Sequence, residues 1–249
     1  MPIMLLPIEG IPAVIPGDDL AALIGDAIDR SRLGLKDGDV VVVCQKVVSK
    51  AEGRIVKLAD VVPSERAREF AEAYDKDPAV VEVALAEATE VLRMGDGHLI
   101  TATGPGFVCA NSGLDRSNAG ADGTVTLLPE DADRSAAALL GGLQARFQKR
   151  LAVIVTDTFG RPWRMGQVDV AIGAAGMNVL DDHEGRSDWT GRPLEHTALA
   201  VADQLSAAAG LLMGKSAGVP VVLVRGHRLE AGAAKAADLV RPRENDLFR

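Results

Sequence analysis

Three polar groupings stand where apolar runs of the sequence end: Ser49-Lys50, Asp115 with Asn118, and Asp157-Thr158. A rigid strand can hold such side chains over a cleft. Carboxylates combined with neutral oxygens suit Mg2+ or Mn2+, hard cations that take oxygen ligands and share them with substrate phosphates. A lysine supplies the opposing charge. Each grouping also has an ordinary structural role. Asp-x-x-Asn loops and Asp-Thr pairs serve as turn or helix-cap groups, and Lys50 suits a solvated strand end.

The elements that must position these residues interleave along the chain. Asp39 to Ser49 is a β-branched run entered from Lys36-Asp37-Gly38 and reads as a buried strand. Pro63-Ser64 starts a helix running through Tyr74, and Pro78 opens another reaching about Leu92, because proline is favoured in a first helical turn. Leu99 to Thr103 and Phe107 to Ala110, separated by Gly104-Pro105-Gly106, form a hairpin, and Asn111 to Asn118 reads as loop. Asp131 to Arg150 is helical. The strand Leu151 to Val155 follows and delivers Thr156-Asp157-Thr158 to its C-terminal end, before Phe159-Gly160-Arg161-Pro162 breaks the regular structure. Thr197 to Met213 is a small-residue helix, and Val219 to Val224 is a last buried strand. No repeat or linker divides the chain. The pattern predicts an α+β fold with mixed and antiparallel sheets flanked by helices, in place of a regular doubly wound sheet.

Composition narrows the function. The chain has 249 residues, 47% hydrophobic and 25% charged, which allows a large core. Aromatics are only 3%, so that core rests on Ala, Val, Leu and Ile. Set against 35 acidic residues, 27 basic ones leave a net charge of -8, which argues against a general nucleic-acid binder. No apolar stretch approaches the roughly 20 residues of a membrane-spanning helix. Cys44 and Cys109 both lie in apolar runs with no signal-peptide pattern ahead of them, so a reduced, cytoplasmic setting is expected.

Two familiar motifs fail on context. Gly210-Leu211-Leu212-Met213-Gly214-Lys215-Ser216 resembles the end of a P-loop, but the first glycine that motif requires is replaced by Ala209. Gly214-Lys215-Ser216-Ala217-Gly218 has the letters of a nucleophile elbow, yet it follows a helix and precedes a strand, the reverse of the elbow's order. The histidines His98, His183, His196 and His227 share no helical pairing, so zinc has little support. Gly173-Ala174-Ala175-Gly176 reads as close backbone packing and not as a dinucleotide fingerprint.

A broader pattern is more specific. Ile8-Glu9-Gly10-Ile11-Pro12, Pro16-Gly17-Asp18-Asp19-Leu20, Asp37-Gly38-Asp39-Val40, Val48-Ser49-Lys50-Ala51-Glu52-Gly53-Arg54, Asp115-Arg116-Ser117-Asn118 and Val155-Thr156-Asp157-Thr158-Phe159-Gly160-Arg161 occur in that order. With Val224-Arg225-Gly226 they resemble the glutamate ligase family of the deazaflavin coenzyme F420, over nearly the whole chain. The resemblance implies GTP-dependent addition of L-glutamate to the precursor F420-0, with further glutamates joined through γ-carboxylates. It also implies two intimately packed lobes, an intertwined homodimer, Mg2+ or Mn2+, usually two ions, and K+. By matching positions, Gly10, Ile11, Pro12, Ala13, Gln45, Lys50 and Asn118 would lie on the nucleotide, joined by the turn Gly214, Lys215 and Ser216. Asp115 and Asp157 would ligate one metal, and Thr158 a second. Lys50, Asp157 and Arg161 would carry the chemistry, with Arg161 and Arg164 suited to acidic substrate groups because guanidinium binds carboxylate bidentately.

The chain departs from that family's pattern at two places. Lys215 replaces an acidic residue and suits a phosphate in place of a cation, and Gln45-Lys46 replaces small hydroxyl residues at the nucleotide. A nitroreductase-like domain follows this one in actinobacterial relatives; residues 1–249 are expected to be a single ligase domain without it, either a stand-alone form or a piece of a longer chain. The same metal and phosphate residues would also serve another nucleotide-dependent amide ligase or a GTP-binding relative without catalysis.

Overall fold

A computed structural model of the chain describes residues 2–116, 123–214 and 216–247. In chain order its regular elements are β1 (Met4–Ile8), α1 (Leu20–Ser31), β2 (Val40–Cys44), α2 (Gln45–Ala51), β3 (Ile55–Lys57), α3 (Glu65–Ala73) and α4 (Pro78–Ala86). β4 (Glu90–Gly95), β5 (His98–Ala102), β6 (Val108–Ala110), β7 (Thr124–Thr126), α5 (Ala132–Phe147), β8 (Ala152–Arg161) and β9 (Arg164–Ala175) follow. The chain closes with β10 (Asp181–Asp182), β11 (Ala198–Leu199), α6 (Val201–Met213) and β12 (Val221–Arg225). The architecture is mixed α+β, as the interleaved pattern predicts.

Local chemistry explains where the helices begin. Asp19, Ser64, Asp77 and Asp131 each stand just before a helix and accept from one of its first backbone N–H groups. Such a cap contributes about 1 kcal/mol to the helix it starts. Pro78 occupies the first turn of α4, where its missing N–H costs nothing.

The principal sheet has five strands in the order β1-β12-β2-β8-β9. Only the central pair β2 and β8 is parallel, from Val40 opposite Ala152 to Cys44 opposite Thr156; the other neighbours are antiparallel. Alternation assigns the two faces. Val41, Val43, Val153, Val155 and Ile172 pack with α1 and α5 through Ile24, Ile28, Ala136 and Leu143. Val40, Val42, Ile154, Ala171 and Val224 face the other way, onto Ala202, Leu205 and Ala209 of α6. Covering both faces explains why these strands read as unbroken apolar runs. Gly173 marks the closest approach: a Cβ there would fall 2.1 Å from the Ala132 backbone oxygen, so α5 begins directly on the backbone of β9.

A second assembly joins the sheet β4-β5-β6 and the pair β3-β7 to α3 and α4. Phe70, Val81 and Leu99 form one of its clusters, and Val83, Val125 and Leu127 another. Among the described residues no helix is long and apolar enough to cross a membrane.

Several boundaries differ from expectation: α5 ends at Phe147, short of Arg150, and α6 begins at Val201 and not at Thr197, because Ala198–Leu199 pairs with β10. β2 stops at Cys44, and Gln45 begins a helix. The Gln45 amide donates to Ser49 Oγ at 2.7 Å and to the Leu127 carbonyl at 2.9 Å, the first bond pairing residues four apart as a helix does. The helix from Pro78 ends at Ala86 in place of Leu92, because Glu90–Gly95 pairs with β5. β8 continues through Thr156-Asp157-Thr158 to Arg161, since β9 pairs with it along its whole length, and only Pro162-Trp163 make the turn. Proline suits the first turn position, and Trp163 takes the left-handed region at φ 58°.

Candidate functional site

The parallel pair sets the site. β2 and β8 end their pairing at Cys44 and Thr156, where the chain after β2 folds into α2 while β8 runs on with β9 alone. Space opens at the carboxyl ends of parallel strands whose connections diverge, the usual place for a ligand in such sheets. A cavity of about 420 Å³ lies there.

Most of the residues singled out in the sequence meet in this cavity. Ile11, Pro12 and Ala13 line it from the segment after β1, Gln45 and Lys50 from α2, and Gly214 and Ser216 from the segment after α6. Asp115, Asp157 and Thr158 complete that set. Gly10 does not line it but anchors the adjacent segment: it adopts φ 76°, and its carbonyl accepts from Arg30 Nη2 at 2.9 Å. Arg161 is placed elsewhere, at the far end of β8, where Nη2 donates to the Met165 carbonyl at 3.2 Å. Four residues along an extended strand separate it from Asp157 by about 13 Å. Asn118 and Lys215 lie outside the described residues. The Gln45 side chain is only 1% exposed, and its amide is spent on Ser49 and Leu127.

Charge in the cavity is partly balanced by the chain itself. Lys46 Nζ sits 2.7 Å from Asp115 Oδ2. Lys46 and Lys50 are one helical turn apart on α2. Partial burial, with the like charge of Lys46 beside it, lowers the Lys50 ammonium below the ordinary lysine range. Asp115 is fixed through its backbone, which exchanges two hydrogen bonds with Thr126 of β7. Thr158 Oγ1 donates to Asp169 Oδ1 at 2.5 Å across the β8-β9 pair.

Beyond Asp115, Asp157 and Thr158 a second cavity of about 350 Å³ opens, lined also by Asn111, Phe159 and Gln167. These three residues therefore form the boundary between two pockets. Cys109 lies on the second, its thiol pushed up to about 12 by burial and by the charge of Asp157. Asn111 and Ser112 both take the left-handed region, at φ 50° and 53°. Ser112 is held there by hydrogen bonds to Thr101 and to the Ala84 carbonyl.

The oxygen donors suit a hard cation. Among the described residues no three His, Cys, Asp or Glu side chains gather into a metal cage by themselves. Asp115, Asp157, Asp169 and the Thr158 hydroxyl line one cavity, a set of oxygen donors that could hold Mg2+ with few protein ligands, the rest of its shell being waters and phosphate oxygens.

Asp169 and Asn111 are not among the residues singled out in the sequence, and Lys46 enters there only beside Gln45, as a departure from the family's pattern. Lys46 carries a weak signal, as a lysine one helical turn before Lys50. Asp169 carries none, because an acidic residue in an alternating strand reads as a solvent-facing position.

Comparison with known proteins agrees with the motif pattern. Residues 10–226 match the sequence profile of the family described as F420-0:Gamma-glutamyl ligase. The chain is 46% identical over 254 aligned residues to the coenzyme F420:L-glutamate ligase of Methanothermobacter thermautotrophicus, covering 100% of both chains. Against the enzyme of that name from Methanopyrus kandleri it is 45% identical, with 98% of each chain covered. For the one from Methanocaldococcus jannaschii identity is 40%, over 90% of this chain and 92% of the other. With the match spanning the cavity-forming segments as well as the sheet, the chain belongs to the F420-0:gamma-glutamyl ligase family.

Proposed function

We propose that this protein joins L-glutamate to F420-0 through an amide bond, consuming GTP and releasing GDP and phosphate, and then adds further glutamates through γ-carboxylates. The curated relatives, named coenzyme F420:L-glutamate ligase, support an amide-forming ligase and its two organic substrates. The observation that carries the mechanism is the position of Asp115, Asp157 and Thr158 between two cavities. A phosphoryl donor in one and an acid in the other would meet at these residues.

A free carboxylate is a poor acyl donor because hydroxide leaves badly. In the proposed reaction the terminal carboxylate oxygen of F420-0 attacks the γ-phosphorus of GTP, the bond to the β-phosphate oxygen breaks, and GDP leaves. The glutamate amine then adds to the carbon of the acyl phosphate, inorganic phosphate departs, and the nitrogen gives up its proton to solvent. Mg2+ or Mn2+, when held by Asp115, Asp157 and Thr158, would neutralise charge on the transferring phosphoryl group. Lys50 in its ammonium form adds positive charge from α2, and Ile11 to Ala13 supply a wall against the nucleotide. Arg161 and Arg164, at the base of the turn joining β8 and β9, remain available for acidic groups reaching the surface.

A homodimer is part of the proposal. Its support is the exposure of large apolar side chains: Trp163 and Met165 on the β8-β9 hairpin are 81% and 97% exposed, and Trp189 96%. Trp163 and Met165 sit two residues apart at the β8-β9 turn, and large apolar side chains left in water there suit a surface that a second copy would cover.

Asp157→Asn tests the site, since it removes one charge and keeps the shape. Turnover should fall by about 10²-fold or more, as for loss of one preorganised electrostatic group, with the melting curve retained. Unchanged turnover would remove Asp157 from the mechanism.

A further inference from the structure

Asp169 shares the cavity wall with Asp115, Asp157 and Thr158. It stands opposite Thr158 in the β8-β9 register and accepts that residue's hydroxyl proton at 2.5 Å. Its other carboxylate oxygen is packed against α6, where a Cβ added at Gly210 would fall 1.7 Å from Asp169 Oδ2. Gly210 lies inside α6, a place where glycine costs about 1 kcal/mol relative to alanine. Here the missing side chain has a steric use: it lets the Asp169 carboxylate fit between strand and helix.

A threonine hydroxyl has one proton and two lone pairs. With the proton committed to Asp169, Thr158 Oγ1 can meet a cavity ligand only as an electron-pair donor. Partners of this kind raise the basicity of a ligating group and fix its orientation, and their loss weakens metal binding by about 10 to 100-fold. We propose that Asp169, seated by Gly210, is a positioning residue that holds the Thr158 hydroxyl in the orientation able to ligate a divalent cation. The proposal rests on the reading of this cavity as a metal and nucleotide site.

Titration of Mn2+ in the presence of GTP, followed by electron paramagnetic resonance, separates the two. Asp169→Ala should weaken Mn2+ binding at least tenfold, while Asp169→Asn, which keeps an acceptor oxygen, should lie between it and the parent protein. In a Thr158→Val background Asp169→Ala should add no further loss, because its effect travels through the hydroxyl. Gly210→Ala, which crowds the carboxylate from the helix side, should weaken binding in the same direction. If Asp169→Ala does not fold, the Asp169→Asn and Gly210→Ala titrations decide, and parental affinity in both overturns the proposal. Parental affinity in Asp169→Ala, or an equal loss with and without Thr158, also overturns it. Absence of Mn2+ binding by the parent protein would instead sink the reading of the cavity, and this proposal with it.

Discussion

Lys46 Nζ lies 2.7 Å from Asp115 Oδ2, so a carboxylate of the cavity is neutralised by the same helix that carries Lys50. The like charge of Lys46 is one of the causes that lower the Lys50 ammonium. Replacing Lys46 by Gln removes that repulsion and strips Asp115 of a counter-charge, and both changes favour the protonated form of Lys50. The alkaline limb of the pH-rate profile should therefore move to higher pH in Lys46→Gln. A limb that stays in place would show that Lys50 ionisation does not govern the rate.

Asp39 and Arg225 form an ion pair at 2.6 Å, with side chains 2% and 11% exposed. Arg225→Met leaves the Asp39 carboxylate buried against β12 without its partner. The expected loss is about 3–5 kcal/mol. Urea unfolding measures it, as a lower midpoint at unchanged slope.

Gly173 allows α5 to begin on the backbone of β9. An alanine there meets backbone atoms that cannot rotate away, and overpacking of this kind costs about 1–3 kcal/mol. Gly173→Ala should fall at or above the upper end of that range in thermal or denaturant unfolding. Gly141→Ala is the control, since a Cβ at that glycine of α5 meets nothing within 4 Å.

Cys109 is 7% exposed, and its thiol is pushed up to about 12 by burial and by Asp157. The thiolate is the reactive form, so labelling by iodoacetamide at pH 8 should be far slower in the native protein than after unfolding. Asp157→Asn removes the neighbouring charge and should speed native labelling without exposing the residue. Rapid native labelling of Cys109 would contradict its burial.

The strands of the central sheet are legible because Val40 to Val43, Ala152 to Val155 and Val221 to Val224 are apolar on both faces, which demands cover on both sides. The turn from β2 into α2 is not. Val47 and Val48 continue the β-branched pattern, and the helix is selected by the bond from Gln45 to the distant Leu127 carbonyl, a tertiary contact. The gathering of Asp115 with Asp157 is implied by the family resemblance and not by spacing, and the extension of β8 past Thr158 depends on β9 pairing across a turn that Pro162 disguised as a break. Asp169 becomes visible only through that pairing, which sets it against Thr158, and through the glycine that makes room for it on α6.

The central claim is amide ligation of glutamate to the coenzyme precursor. It is tested most directly by incubating the protein with F420-0, GTP, Mn2+ and L-glutamate, and reading the products by mass spectrometry. The account predicts a mass increase of one glutamyl residue, then further equal steps, with one GDP formed for each addition. Unaltered F420-0 with no GDP formed would contradict it.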